Sequence, residues 1–259
     1  MIRLFSKSRF KGIANSQLGL YLKYALGEVI LVVIGILIAL KINNLNELSK
    51  YRALEQEYLV EFQEDFEANL ESSKATINWI EFIVPRLISL LEQSALDQHS
   101  LPLDSLNFYY SLSLEMPTYI STDRVYDNLI GSGEFKLISS TELKNALAEY
   151  YKLMELIELV QNTHELELVE AFQPYTLKNL DLQVIQEEMF DDFTMPISQD
   201  STQIISFLHD REFRNIISLK LMILADLLSQ NQGILAANQD LLEILKQAQS
   251  EAKIPSEKL

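Results

Sequence analysis

Side chains that hold protons, metals or nucleophiles are few in this sequence. There are three histidines, His99, His164 and His209, and no cysteine. Without thiols there are no disulfides, thiolate nucleophiles or Cys-ligated zinc and iron–sulfur centres. None of the histidines follows a glutamate by three residues, so the Glu-x-x-His pair of di-iron bundles is absent, as is His-Glu-x-x-His. His164-Glu165 and His209-Asp210 are adjacent pairs, and adjacent helix positions do not share a face. The three histidines therefore read as surface or capping residues. Gly131-Ser132-Gly133 lacks the later glycine and lysine of a phosphate loop, and there is no Gly-x-Ser-x-Gly elbow. Carboxylates number 37, so pairs at helical spacing are expected on any solvated face and assign no acid–base work. The expectation is a chain with no catalytic residues, no cofactor and no metal.

Two constellations stand out. The first is a run of rings and polar groups: Phe108, Tyr109, Tyr110, Tyr119, Arg124, Tyr126, Asp127, Phe135, Tyr150 and Tyr151. Read functionally, it is an aromatic pocket for a small ligand or peptide, with Arg124 and Asp127 as polar contacts. Read structurally, the rings pack short helices onto a bundle with their hydroxyls at the rim. The second is Glu28, the single charge in Tyr24–Leu40 (YALGEVILVVIGILIAL). At 100° per residue, Glu28, Gly35 and Ala39 fall within about 20° of one line. Gly35-x-x-x-Ala39 is a small-xxx-small pair that allows close helix approach. This stripe is a membrane helix interface if it faces a partner; alternatively Glu28 lies near the membrane surface and snorkels.

The element that carries Glu28 reads as a membrane anchor. Seventeen residues at 1.5 Å each span about 26 Å, near the short end for a bilayer core. Lys23 and Lys41 flank the run, and Tyr21 and Tyr24 suit the interface. A cleaved signal peptide fits poorly, because no small-residue cleavage site follows. A buried core helix is the other alternative for Val29–Leu40. Residues 1–23 sum to +5 and the rest to -21, out of a net -16. The positive-inside rule then puts residues 1–23 in the cytoplasm as a basic tail, with residues 24–42 spanning the membrane. Residues 43–252 form an acidic domain outside it, and 253–259 a frayed tail. The basic tail either lies along anionic headgroups or is a plain topology signal. An acidic domain repels phosphates, so no nucleic acid partner is expected.

With only 7 Gly and 6 Pro in 259 residues, the domain reads as long helices. A stripe of Leu59, Phe62, Phe66, Leu70, Ser73, Ile77, Ile80, Val84, Leu87 and Leu91 predicts one helix from Glu47 to about Glu92, kinked at Pro85. Leu103–Leu114 is a short helix. Ser121-Thr122-Asp123 caps another, which Gly131-Ser132-Gly133 stops. Ser139-x-x-Glu142 is a capping box opening a long helix through Ala171 and on past Pro174. Residues 190–200 read as a loop, followed by a short helix at Thr202–Leu208 and a long one from Glu212 to Ala248. Its apolar run, interrupted by Lys220 and Asp226, is a core helix and not a second span. The expected fold is all-α: one N-terminal transmembrane helix followed by an antiparallel helical bundle with long helices.

Two stretches, YLKYALGEVILVVIGILIALKINNLNE (Tyr21–Glu47) and RVYDNLIGSGEFKLISSTELKNALAEYY (Arg124–Tyr151), carry a family resemblance. Together they resemble the recurring segments of a bacterial family of membrane-anchored proteins catalogued as domain of unknown function six-zero-nine-zero. The resemblance covers about a fifth of the chain and implies an inner-membrane protein of a two-membrane bacterium. It implies no activity and transfers no catalytic residue. The expected function is a membrane-anchored helical interaction or scaffold module of the cell envelope, with an envelope protein partner or a homo-oligomer. The alternative is an extracytoplasmic small-ligand sensor that signals through a partner.

Overall fold

Good helix formers fill the long segments; Pro102, Pro117 and Gly133 fall where segments end, while Gly27, Gly35, Pro85 and Gly233 lie inside long helices. The computed structural model describes residues 17–182 and 202–253, and every regular element among them is a helix. Helix α1 runs unbroken over Gln17–Gln93. It is followed by α2 (Leu103–Ser111), a 3-10 turn at Leu112–Leu114, α3 (Arg124–Ser132) and a second 3-10 turn at Glu134–Leu137. Then come α4 (Thr141–Glu167), a π-helical turn at Leu168–Phe172, α5 (Gln173–Asn179), α6 (Gln203–Leu208) and α7 (Arg211–Lys253). The basic tail over residues 1–16, the loop at 190–200 and the tail at 254–259 lie outside the described residues.

The chain divides into two units, Met1–Gln56 and Glu57–Leu259. In the first, every described side chain from Tyr21 to Tyr51 is exposed except that of Ala25. This helix is long and apolar enough to cross a membrane, and its apolar stretch has no burial of its own. Val29–Leu40 is therefore not a core helix. Residues 43–51 of this unit are exposed, and the second unit begins at Glu57.

The second unit is built on a seven-residue repeat. One line of buried positions on α1 is Leu59, Phe62, Phe66, Asn69, Ser73, Thr76, Ile80, Ile83, Leu87 and Leu90, alternating steps of three and four, with Glu55, Asp65, Ile77 and Gln93 buried beside it. Leu70, Val84 and Leu91, expected inward, are half-buried. On α7 the same alternation runs from Phe213 through Ile217, Lys220, Leu224, Leu227, Asn231, Ile234, Asn238, Leu241 and Leu245 to Ala248. On α4 it runs through Leu143, Leu147, Tyr150, Met154, Ile157 and Gln161. A strict heptad is the pattern of helices that coil left-handedly around one another.

The buried apolar residues form two clusters. One joins Ile80–Leu90 of α1 to Phe172, Tyr175 and the first half of α7 (Phe213–Leu227). The other joins Leu59–Phe66 to Leu143–Ile157 of α4 and the second half of α7 (Ile234–Ala248). Helix α7 is thus antiparallel to both α1 and α4, and α1 and α4 run parallel. The short helices between residues 94 and 140 make the return that this order requires. Between the clusters lie buried polar groups: the Ser73 hydroxyl donates to the Asn69 carbonyl at 2.9 Å, and Asn238 donates to Ser73 Oγ at 3.4 Å. Polar residues at core heptad positions fix register at some expense in stability.

Local chemistry shapes the ends. The N-cap of α4 is Ser140, whose Oγ accepts from Leu143 N at 3.2 Å, one residue later than the Ser139 expected. Gly133 stops α3 with φ 72°, a left-handed value that glycine adopts without strain. Helix α1 continues through Pro85. The proline cannot donate to the Glu81 carbonyl. Next to it, Arg86 Nη1 donates to the Phe82 carbonyl at 2.6 Å, and the guanidinium lies 3.4 Å from the Phe82 ring centre. Downstream, Pro174 follows a π-helical turn that inserts an extra residue and turns Leu168, Phe172 and Tyr175 inward.

Candidate functional site: an acidic groove with an aromatic wall

The aromatic run of the sequence does not close into one pocket. Tyr110 belongs to the first cluster, where its ring lies 5.9 Å from that of Phe213 and its hydroxyl is 2.7 Å from Thr176 Oγ1. Phe108 and Tyr109 pack at the edge of the same cluster. Tyr119, Tyr126, Phe135, Tyr150 and Tyr151 belong to the second. Nearness along the chain placed these rings together in the sequence, and the turn at residues 112–123 sends them to opposite ends of the bundle.

Around the second group a groove of about 490 Å³ opens between α3, α4 and the extended segment 115–123. Two of the bundle's side chains clamp that segment and a third holds the start of α3. Gln161 Oε1 accepts from Tyr119 N at 2.8 Å while its Nε2 donates to the Tyr119 carbonyl at 3.2 Å. Asn69 makes the same paired contact with Thr122, at 2.6 and 3.1 Å. Asp65 Oδ2 accepts from Val125 N at 3.2 Å. The first turn of α3 is thus capped by Asp65 of α1; the side chain of Asp123, at its N-cap position, makes no capping bond.

Tyr126 and Tyr151 form one wall, stacked with ring centres 3.7 Å apart. Tyr119 lines the groove too, and its hydroxyl is 3.0 Å from that of Tyr150, which is buried behind it. Asp123, Asp127, Glu155, Glu158 and Glu165 also line it, and among the described residues no lysine, arginine or histidine does. On α4, residues 151, 154, 155, 158, 161, 162 and 165 recur at threes and fours, which is one helix face.

Arg124 does not line the groove. Its guanidinium reaches Asp65 at 3.3 Å and Glu61 at 3.4 Å, and the Asp65 charge raises its pKa further. Burial pushes Tyr151 well above the usual phenol range, with Asp65 and Asp123 adding to the effect. Tyr119 and Tyr126 are raised by burial as well. All three are neutral phenols at physiological pH, so the wall offers ring faces and hydroxyls but no phenolate base.

The other expected residues stand apart. Glu28, Gly35 and Ala39 lie along one line of exposed helix, and a side chain added at Gly35 would meet nothing within 4 Å. His99 and His209 sit against the backbone carbonyls of Leu101 and Ser94 at 3.0 and 3.1 Å. His164 bridges Glu167 and Asp226 at 3.1 and 2.8 Å, tying α4 to α7. Among the described residues, no three His, Asp or Glu converge on a metal position. Sequence reasoning missed Asp65, Asn69 and Gln161, whose roles depend on partners 40 to 60 positions away. Compared with known protein families, curated proteins and solved structures, the chain matches none.

Proposed function

We propose that this chain is a membrane-anchored helical interaction module of the bacterial cell envelope, with no catalytic activity of its own. The observation that carries the reading is an unpartnered apolar face on the domain. Leu156, Leu159 and Leu166 of α4 are 58, 63 and 59% exposed. They recur at helical spacing on the side of α4 away from Ile157 and Gln161. Exposed apolar stripes of this kind mark contact surfaces. The exposed apolar helix, with its Glu28–Gly35–Ala39 stripe, supports a second contact inside the bilayer. The asymmetry of charge supports a cytoplasmic N-terminus, and the resemblance of Tyr21–Glu47 and Arg124–Tyr151 supports the inner membrane with a periplasmic domain.

Purification of the tagged full-length protein from its native membranes in mild detergent tests this. A stoichiometric envelope partner or a homo-oligomer is expected in mass photometry, and Leu156→Ser with Leu159→Ser should release it. A clean monomer would count against the module. Orientation has its own test, because the chain has no cysteine. Ser132→Cys should react with a membrane-impermeant maleimide in intact spheroplasts, and protection there would reverse the topology.

A sensor that signals through a partner is the second reading, favoured by the groove. Thermal-shift screening separates the two, since a specific ligand raises the melting temperature and a bare scaffold shows no shift.

A further inference from the structure

The carboxylates of the groove differ from those on the remaining acidic surface, because they face neutral rings and one idle polar group. Tyr151 is 8% exposed, and its hydroxyl is buried with no hydrogen-bond partner. A buried phenol without a partner calls for an explanation. Asp65, behind the groove, and Asp123 and Asp127, both of its lining, lie close enough to act on this hydroxyl. The oxygen has no exposed area, so a donor reaching it from the groove must shift what covers it, and would find a carboxylate and the ring faces beside it.

The chemistry of that donor is constrained. Five carboxylates and no basic side chain select a cation. The carboxylates do not converge on a metal position, so charge spread over a molecule suits them better than a point charge. Tyrosine faces attract ammonium groups and pack methylenes. A volume of about 490 Å³ suits a small molecule. We infer that the groove binds a linear organic polycation of the polyamine class. Its methylenes lie along the Tyr126–Tyr151 wall, and its ammonium groups are spread along the carboxylates of α3 and α4. The inference rests on the bundle alone and does not depend on the membrane reading.

Isothermal titration of full-length protein in non-ionic detergent with spermidine, at fixed moderate salt, tests it. Saturable binding near one per chain is expected. The double variant Asp127→Asn, Glu158→Gln should weaken it by about tenfold or more. Glu149→Gln with Glu251→Gln, which removes two exposed charges outside the groove, should change it by less than about twofold. Tyr151→Phe keeps the ring and removes the idle hydroxyl. It should weaken spermidine binding severalfold while leaving the melting temperature unchanged or higher, a combination that a purely structural role does not give. No saturable heat, equal losses in the two double variants, or calcium competing at equimolar concentration would each overturn the assignment.

Discussion

Lys220 is a buried ammonium in the apolar half of the bundle, and its Nζ donates to the Glu115 carbonyl. Burial pushes its pKa down to about 8, against about 10.4 in an unfolded chain. Below pH 8 both states carry the proton and the burial penalty is fully present. Between about pH 8 and 10 the unfolded chain holds a proton that the folded chain has lost, so stability rises with pH, by up to about 3 kcal/mol. Above pH 10 the sign reverses. Tyr58, pushed up to about 12 by its bond to Glu134, and Tyr110, pushed up to about 12 by burial, keep protons the unfolded chain has released. The urea midpoint should therefore rise from pH 7.5 to 9.5 and fall beyond 10.5. Lys220→Met should flatten the rise, and an undiminished rise in that variant would assign it to other groups. In the sequence Lys220 was visible only as an interruption of an apolar run. Its acceptor lies 105 residues away, and no local pattern announces such a partner.

Helices were legible where their signals are local. Gly133 needs only its own φ to stop α3, and the short helices fall within a residue or two of their expected bounds, Leu103–Leu114 once its closing 3-10 turn is counted. Caps that come from elsewhere were not legible. Asp65 caps α3 from another helix, and its contribution resembles that of any N-cap bonded to backbone N–H, enlarged by its ion pair with Arg124. Asp65→Ala should lower stability by about 2–3 kcal/mol in urea denaturation. Asp65→Asn keeps an acceptor and should lose less. Asp123→Ala, at the position the sequence favoured, should lose least; a larger loss there than at Asp65 would restore the local cap. The heptads escaped notice for a related reason. Asn69 and Thr76 on α1, Gln161 on α4, and Lys220, Asn231 and Asn238 on α7 occupy core positions. Polar letters there break the apolar pattern a reader follows, although the helices keep the repeat.

The two apolar clusters have different short helices over them but share the two longest helices, α1 and α7. Coupling through those helices predicts one cooperative transition. Trp79 is the single tryptophan, so its fluorescence reports on its own region of the bundle, while far-UV circular dichroism reports on every helix. The two should trace one urea curve. A fluorescence transition separated from the dichroism would mean that the polar layer around Ser73 and Asn238 divides the bundle into units that melt apart. The candidate groove was legible only in part. The sequence supplied Tyr119, Tyr126, Asp127 and Tyr151, but the rim acids of α4 looked like any solvated face until α3 was laid against them.

The clamps on segment 115–123 have a consequence in time. From Met116 to Asp123 its backbone has no ladder or helix to shelter it, so the amide protons there should pass to deuterated water within seconds. Tyr119 and Thr122 are exceptions, because each gives its N–H to an amide oxygen of a bundle residue, Gln161 or Asn69. Their protons leave only when α4 or α1 lets go. In an exchange experiment read residue by residue, two slow clocks should tick inside a fast stretch, at the pace of the long helices and not of their neighbours. Gln161→Ala should set the Tyr119 clock running fast and leave that of Thr122 alone.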